Sequence, residues 1–358
     1  MNNQSALNST SVRLAVLAAL YPGIQLLAQD GLTLEEIVVT ATKREASIQD
    51  IAAQVQAISQ ETLADMGARN MEDFARFMPG LNVVAGVTDS TVVFRGAITG
   101  AGYIAASTSS VYLDELPLTT TGSQPNVRLV DIARVEALAG PQGTLYGSDA
   151  QAGTMRIVTN KPVMGETSTT VDGELRFGSE GEESFRGSLV FNTPLTDNTA
   201  LRFSLFSDKD GGYIDNVLGH TADSAMPAFG GGKWPVNYGT LDNSKSVEDD
   251  ANEVKIKGGR AEIRWEINDK WATNLSAMHQ ETSQGSGNYY DEFRGDLNIV
   301  SFHDDWYESE WDAFALTVEG DLGFAQLVAA ASYYERSGRG VWDITNYAHY
   351  WSKSYCSD

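Results

Sequence analysis

The chain has 358 residues, a single cysteine and a formal net charge of −23. That acidity excludes a nucleic-acid binder, which needs a basic footprint against phosphate, and one cysteine excludes a disulfide scaffold within the chain. A hydrophobic content of 42% is too high for a disordered polymer, and no apolar run reaches the roughly 18–20 residues of a membrane-spanning helix.

Arg13 precedes the apolar stretch Leu14 to Leu20, and Ala28 stands where such a segment could end, so residues 1–28 are expected to be an export signal. A short buried helix is the competing reading. A tail over 29–46 follows, and residues 47–165 then read as a small α/β domain. Ser59 caps an expected helix from Gln60 to Met66, and Asn70 caps another from Met71 to Phe77, which Pro79 and Gly80 stop. Short β-branched runs come next, at 81–84, 92–95, 111–113, 134–138 and 155–159, separated by Gly/Ser/Thr clusters. The loops at 85–91, 97–110 and 119–124 are long and polar. Long polar loops on a compact scaffold are where binding resides, which makes Asp89, Ser90, Tyr103, Thr120 and Ser123 candidate ligand contacts.

Composition changes after Gly165. Residues 1–165 carry a net charge of −5 and residues 166–358 a net charge of −18, and all seven tryptophans lie in the second part. Seven runs there alternate with period two. Val171, Gly173, Leu175 and Phe177 share one face, as do Phe185, Gly187, Leu189 and Phe191. Leu201, Phe203 and Leu205 form a third, Ala261 to Ile267 a fourth and Trp271 to Ala277 a fifth; Phe314 to Val318 and Leu327 to Tyr333 complete the set. Aromatics stand near strand ends. An apolar face with aromatic girdles is the pattern of an outer-membrane barrel, although a soluble β-sandwich also alternates. The connections favour the barrel. After the second, fourth and sixth strands every link is short; after the third (209–253) and fifth (281–310) every link is long, and the first strand, followed by a short loop at 179–184, is the exception. Short turns on one side and long external loops on the other produce that parity.

Several motifs carry a family resemblance. The segment EEIVVTATKRE (35–45) resembles the energy-coupling box of TonB-dependent outer-membrane receptors. FRG (94–96), VYLDELPL (111–118), RVEALAGPQGTLYG (134–147) and GTMRIVTNKP (153–162) resemble that family's plug domain, and the order of motifs is the family's. The GPQGTLYG run is the most specific of them. The resemblance implies a plug followed by antiparallel strands of a transmembrane β-barrel over 166–358. It implies that Glu36, Ile37, Val38, Val39, Thr40 and Ala41 are captured by a TonB-type periplasm-spanning protein. An extended β-branched strand is suited to adding to a partner's sheet edge. It implies that Arg95, Arg134 and Glu136 latch plug to barrel; solvated surface is the plain alternative. Gly140, Pro141, Gly143 and Gly147 are expected to make the tight turns that fold the plug. Two departures stand out: Ala139 occupies a position where the family usually has arginine, and Ala152 replaces a frequent glycine.

The remaining chemistry is sparse. There is no GxSxG elbow, Walker loop or HExxH, and the histidines are scattered, so neither an enzyme nor a resident cofactor or metal is expected. His303 with Asp304 and Asp305 is conceivable as a metal site, with a solvated loop the stronger reading. The acidic 281–312 loop could attract cationic ligands or meet divalent ions at the lipopolysaccharide surface. The expected function is energy-coupled uptake of a scarce ligand, a ferric siderophore first, with vitamin, haem or carbohydrate open. A plugged transporter barrel needs about 22 strands, and seven are counted, so the expectation is a C-terminally truncated chain. A non-transporting binding fragment and an inactive one are the rivals.

Overall fold

The computed structural model describes residues 38–40, 43, 46–85, 89–99, 106–119, 123–220, 241–292 and 294–345. The expected export signal over 1–28, Glu36, Ile37, Ala41, Tyr103, Thr120 and Cys356 lie outside the described residues.

The first part of the chain is a small mixed domain. Its strands are β1 (Val38–Val39), β2 (Ala46–Ser47), β3 (Gln54–Ser59), β4 (Leu81–Ala85), β5 (Asp89–Phe94), β6 (Ser109–Leu113), β7 (Leu116–Pro117), β8 (Gln124–Pro125), β9 (Ile132–Ala139) and β10 (Gly153–Thr159). The helices are α1 (Gln60–Asp65), α2 (Met71–Ala75) and α3 (Gly143–Tyr146). Both expected caps are made. Ser59 accepts from the Thr62 N–H, and Asn70 forms a capping box with Asp73, satisfying N–H groups that the helix leaves open. The sequence reading missed β3, whose alternation is polar. It pairs antiparallel with β9 inside a five-stranded sheet ordered β3-β9-β10-β6-β7, in which β10 and β6 run parallel. A second sheet, β4-β5-β8, packs beside it.

The second part is a wall. β11 (Ser168–Arg176), β12 (Ser184–Thr196), β13 (Thr199–Asp210), β15 (Val254–Asn268), β16 (Trp271–Gln284), β18 (Trp306–Asp321) and β19 (Gln326–Val341) form one antiparallel sheet in chain order. These are the seven runs of the alternating pattern. Two-residue strands β14 (Asp215–Asn216) and β17 (Asn298–Ile299) pair in parallel and join the two long links above the sheet. There Asn216 is the fastener: its amide donates to the Ser301 carbonyl (2.9 Å) and its oxygen accepts from the Ser301 N–H (2.8 Å).

The wall is inverted relative to a soluble protein. Val171, Leu175, Phe177, Leu205, Trp265, Leu275, Phe314 and Tyr333 are exposed on its outer face. The inward residues between them are polar and buried: Asn192, Ser204, Asp208, Arg260, Glu262, Asn274, Gln280 and Ser309. A sandwich would bury its apolar face against a second sheet; here that face is open, as on a lipid-facing barrel. The inner face packs on the small domain instead. One buried cluster runs from Met71, Phe74, Phe94, Leu118 and Met155 of the small domain into Met278, Trp311 and Ala313 of the wall. Among the described residues no helix is long and apolar enough to cross a membrane.

Candidate functional site

The described residues of the expected coupling box, 38–40, are docked, not free. β1 pairs antiparallel with β2, Val38 opposite Ser47 and Val39 opposite Ala46. Val39 is fully buried, in a cluster with Leu138, Tyr146 and Ala150. Thr40 is held by three charged side chains. Its N–H donates to Glu136 Oε1 (2.8 Å), and its hydroxyl accepts from Arg156 Nη1 (2.7 Å) and Arg134 Nη2 (3.0 Å).

Glu136 is the centre of this group. It is fully buried, and it is held by Arg134 Nε at 2.7 Å and Arg156 Nη1 at 3.0 Å. A buried carboxylate is tolerable only when so paired. Arg156 reaches on to Glu115 Oε1 (2.8 Å), and Glu115 also pairs with Lys43. The Lys43 ammonium lies 5.1 Å from the Tyr112 ring centroid and 4.5 Å from that of Tyr146, within cation–π range. Burial pushes the Tyr146 phenol well above its ordinary range. The positions come from the ladder: Glu136 and Arg156 are register partners on β9 and β10.

The turn residues behave as their types require. Gly140 (φ 103°) and Gly147 (φ 79°) hold left-handed conformations, with Pro141 and Gly143 between them. The Gly140 N–H donates to the Ala152 carbonyl and the Gln142 N–H to the Ala150 carbonyl, folding the run back so that α3 seats Tyr146 over Val39.

The expected latch has other partners. Arg134 and Glu136 bond each other and Thr40, and Arg95 bonds Gln54, all within the small domain. Most of the charged contact with the wall is made by residues that the sequence reading did not single out. Asp131 binds Arg202 and Arg260. Lys161 bridges Asp114 (2.9 Å) and Glu262 (3.1 Å). Arg128 meets Asp208 at 3.1 Å, and Arg69 meets Glu174 at 2.8 Å. Gln280 clasps the backbone at Asn126 O (2.8 Å) and the Arg128 N–H (3.1 Å). The available signal was a charged residue inside a strand buried throughout, as Arg156 is in β10, or an inward charge on a wall strand.

Of the candidate ligand contacts, Asp89 and Ser123 come together at Arg336 of β19, 3.7 Å and 3.4 Å from its guanidinium. Ser90 is buried within the small domain. Asp305 accepts from the Tyr289 hydroxyl (3.0 Å), which ties it into the loop framework. His279, Glu281 and Glu310 bring one ligand-type atom each within 4.8 Å of one another on the outer face. Asp312 and Lys257 already engage His279 and Glu281, at 3.0 and 2.8 Å.

Comparison with known proteins gives a consistent answer. Residues 47–154 match the TonB-dependent Receptor Plug Domain family. The chain is 31% identical over 171 residues to a pesticin receptor of Yersinia enterocolitica, covering 47% of this chain and 24% of that protein. It is 29% identical over 215 residues to an iron-regulated outer membrane virulence protein of Vibrio cholerae, covering 55% and 31%. Among solved structures it resembles the ferric yersiniabactin uptake receptor of Yersinia pestis (TM-score 0.59, 22% identity, 80% of this chain and 41% of that one). It also resembles a ferric enterobactin receptor of Pseudomonas aeruginosa (TM-score 0.57, 17% identity, 84% and 43%). The chain therefore spans about a quarter of the length of the pesticin receptor and about two fifths of the solved receptors. Residues 47–154 thus carry a plug domain of the TonB-dependent receptor type, and the chain as a whole shares the fold of the solved receptors.

Proposed function

We propose that this chain serves energy-coupled uptake across the bacterial outer membrane, with residues 36–41 as the segment that a TonB-type periplasm-spanning protein captures. The observation that carries this reading is the docking of Val39 and Thr40 on the Glu136–Arg134–Arg156 group. A two-residue strand held by a neutral threonine is readily exchanged for a partner's sheet edge, where backbone hydrogen bonds supply affinity. Withdrawing Thr40 leaves Glu136 still paired with both arginines, so release strands no buried charge.

The layout proposed is a tail over 29–46, a plug over 47–165 and barrel strands from 166 onward. The outer face of those strands meets membrane lipid, and the charged strand ends above it meet lipopolysaccharide. The cargo proposed is a ferric siderophore, in keeping with the ferric yersiniabactin and ferric enterobactin receptors that share the fold. It would be met from outside by the plug loops and by Arg336. Family members are transport receptors. The role asks this chain for no bond chemistry and no resident cofactor, since iron enters as cargo.

Deleting residues 36–41 should abolish binding of the soluble periplasmic domain of a TonB-type protein to the detergent-solubilised chain. Quenching of tryptophan fluorescence by a ferric siderophore should be unchanged. Partner binding that survives the deletion would overturn the coupling assignment.

A further inference from the structure

Asp131 stands immediately before β9, with a left-handed backbone (φ 59°) that aspartate tolerates better than most residues. Its side chain is 2% exposed. Both carboxylate oxygens are saturated. Arg202 grips them as a fork, Nε to Oδ2 at 2.7 Å and Nη2 to Oδ1 at 2.6 Å. Arg260 Nη2 donates to Oδ2 at 2.7 Å, and Asn160 Nδ2 donates to Oδ1 at 2.8 Å. The Asp131 carbonyl accepts from the Asn160 N–H (3.1 Å) and from Arg260 (3.2 Å). Arg202 and Arg260 belong to neighbouring wall strands, β13 and β15, so a single plug carboxylate spans two staves of the barrel.

The next charges continue the pattern. Glu262 is the cross-strand partner of Arg202, and it pairs with Lys161, which also holds Asp114. Three cations (Arg202, Arg260, Lys161) face three anions (Asp131, Glu262, Asp114) across the plug–wall seam. Val130, one residue before Asp131, packs into a wall cluster of Val190, Phe206 and Ile256. Pulling this flank apart would leave buried charges without partners, which is strongly unfavourable. The coupling end differs, because Thr40 leaves its site as a neutral group while Glu136 keeps its arginines.

We infer that Asp131 is the positioning residue that pins the plug to strands β13 and β15, making this flank the fixed pivot while the coupling end is the part that yields. The inference rests on the energy-coupled reading, but its test needs neither partner nor cargo, so its failure would leave that reading standing.

The test is hydrogen exchange, followed by mass spectrometry, on the full chain in detergent. Three variants are compared: Asp131→Asn, the wall-side pair Arg202→Gln with Arg260→Gln, and all three substitutions together. Opening of the clamp should raise exchange at residues 128–131 and at the Asn160 amide by about 10-fold or more in each of the first two. Because the groups act as one unit, the triple variant should exchange no faster than the faster of the two. Exchange over 38–47 should stay at the parental rate in all three, whereas Thr40→Val should raise it there and leave 128–131 unchanged. Should Asp131→Asn fail to fold, the wall-side pair carries the test, since it leaves the plug sequence intact. Multiplying effects in the triple variant, unchanged exchange at 128–131, or equal loosening at both ends would overturn the pivot.

Discussion

Glu136 shows how a charge in a sequence can announce its need for pairing without naming its partner. Its position between Val135 and Ala137 in a buried strand marks it as a charge that must be paired. The pairing itself is set by register: β10 places Arg156 opposite Glu136, and β1 brings Thr40 across 96 residues of sequence. Removing one partner of a buried pair costs about 3–5 kcal/mol. Glu136→Ala should therefore lower plug stability by about that amount, read as the urea midpoint of the detergent-solubilised chain. Thr40→Val removes only hydrogen bonds to charged groups, worth about 1.5–3 kcal/mol. Its effect should be confined to the first residues, seen as faster proteolysis at the N-terminal tail with an unchanged urea midpoint for the rest of the plug.

At the scale of elements, the same backbone chemistry does two jobs. The GPQGTLYG run turns because Gly140 and Gly147 accept φ values that an L-residue resists. Gly153 is needed for space instead. A Cβ there would lie 2.6 Å from the Phe94 ring and 2.7 Å from the Leu138 carbonyl. Gly153→Ala should destabilise the plug by about 1–3 kcal/mol through overpacking, measured by thermal unfolding. The wall strands divide by parity. Leu275 is exposed on the outer face, and its neighbour Asn274 is buried on the inner one. An arginine near the bilayer midplane on the lipid face of a barrel costs about 2–4 kcal/mol. Leu275→Arg should lower insertion into lipid vesicles accordingly, while Thr273→Ser on the same strand should leave it unchanged.

Over the whole molecule, charge is sorted by place. Residues 166–358 carry −18 and residues 1–165 carry −5, and the charges that meet across the seam between plug and wall are opposite in sign. Asp114 makes the seam sensitive to acid. Burial alone would raise its carboxyl; Lys161, Arg260 and the Thr159 N–H outweigh that and hold it below the usual carboxylate range. A carboxyl depressed in the folded state adds stability above its unfolded value of about 3.9, and that stability is lost as pH falls through the folded value. Plug dissociation from the wall, followed by protease sensitivity of residues 160–167, should therefore rise below about pH 4. Asp114→Asn should be looser already at pH 7 and respond less to acid.

The sequence by itself determined the change of architecture after the plug, the seven wall strands with their apolar outer face, the turn-making glycines and the resemblance of the first part to a plug domain. Each of these is local: period-two alternation, cap residues and a contiguous motif are written within a few residues of one another. What only the tertiary structure decided is who holds whom. Asp131 lies 71 residues from Arg202 and 129 from Arg260, and Lys161 meets Glu262 only because β15 faces the plug. A charge in a sequence announces that it needs a partner when buried, but long-range register chooses the partner. That is why Arg134 and Glu136 turned inward to hold Thr40, and Asp131 and Lys161 took the wall.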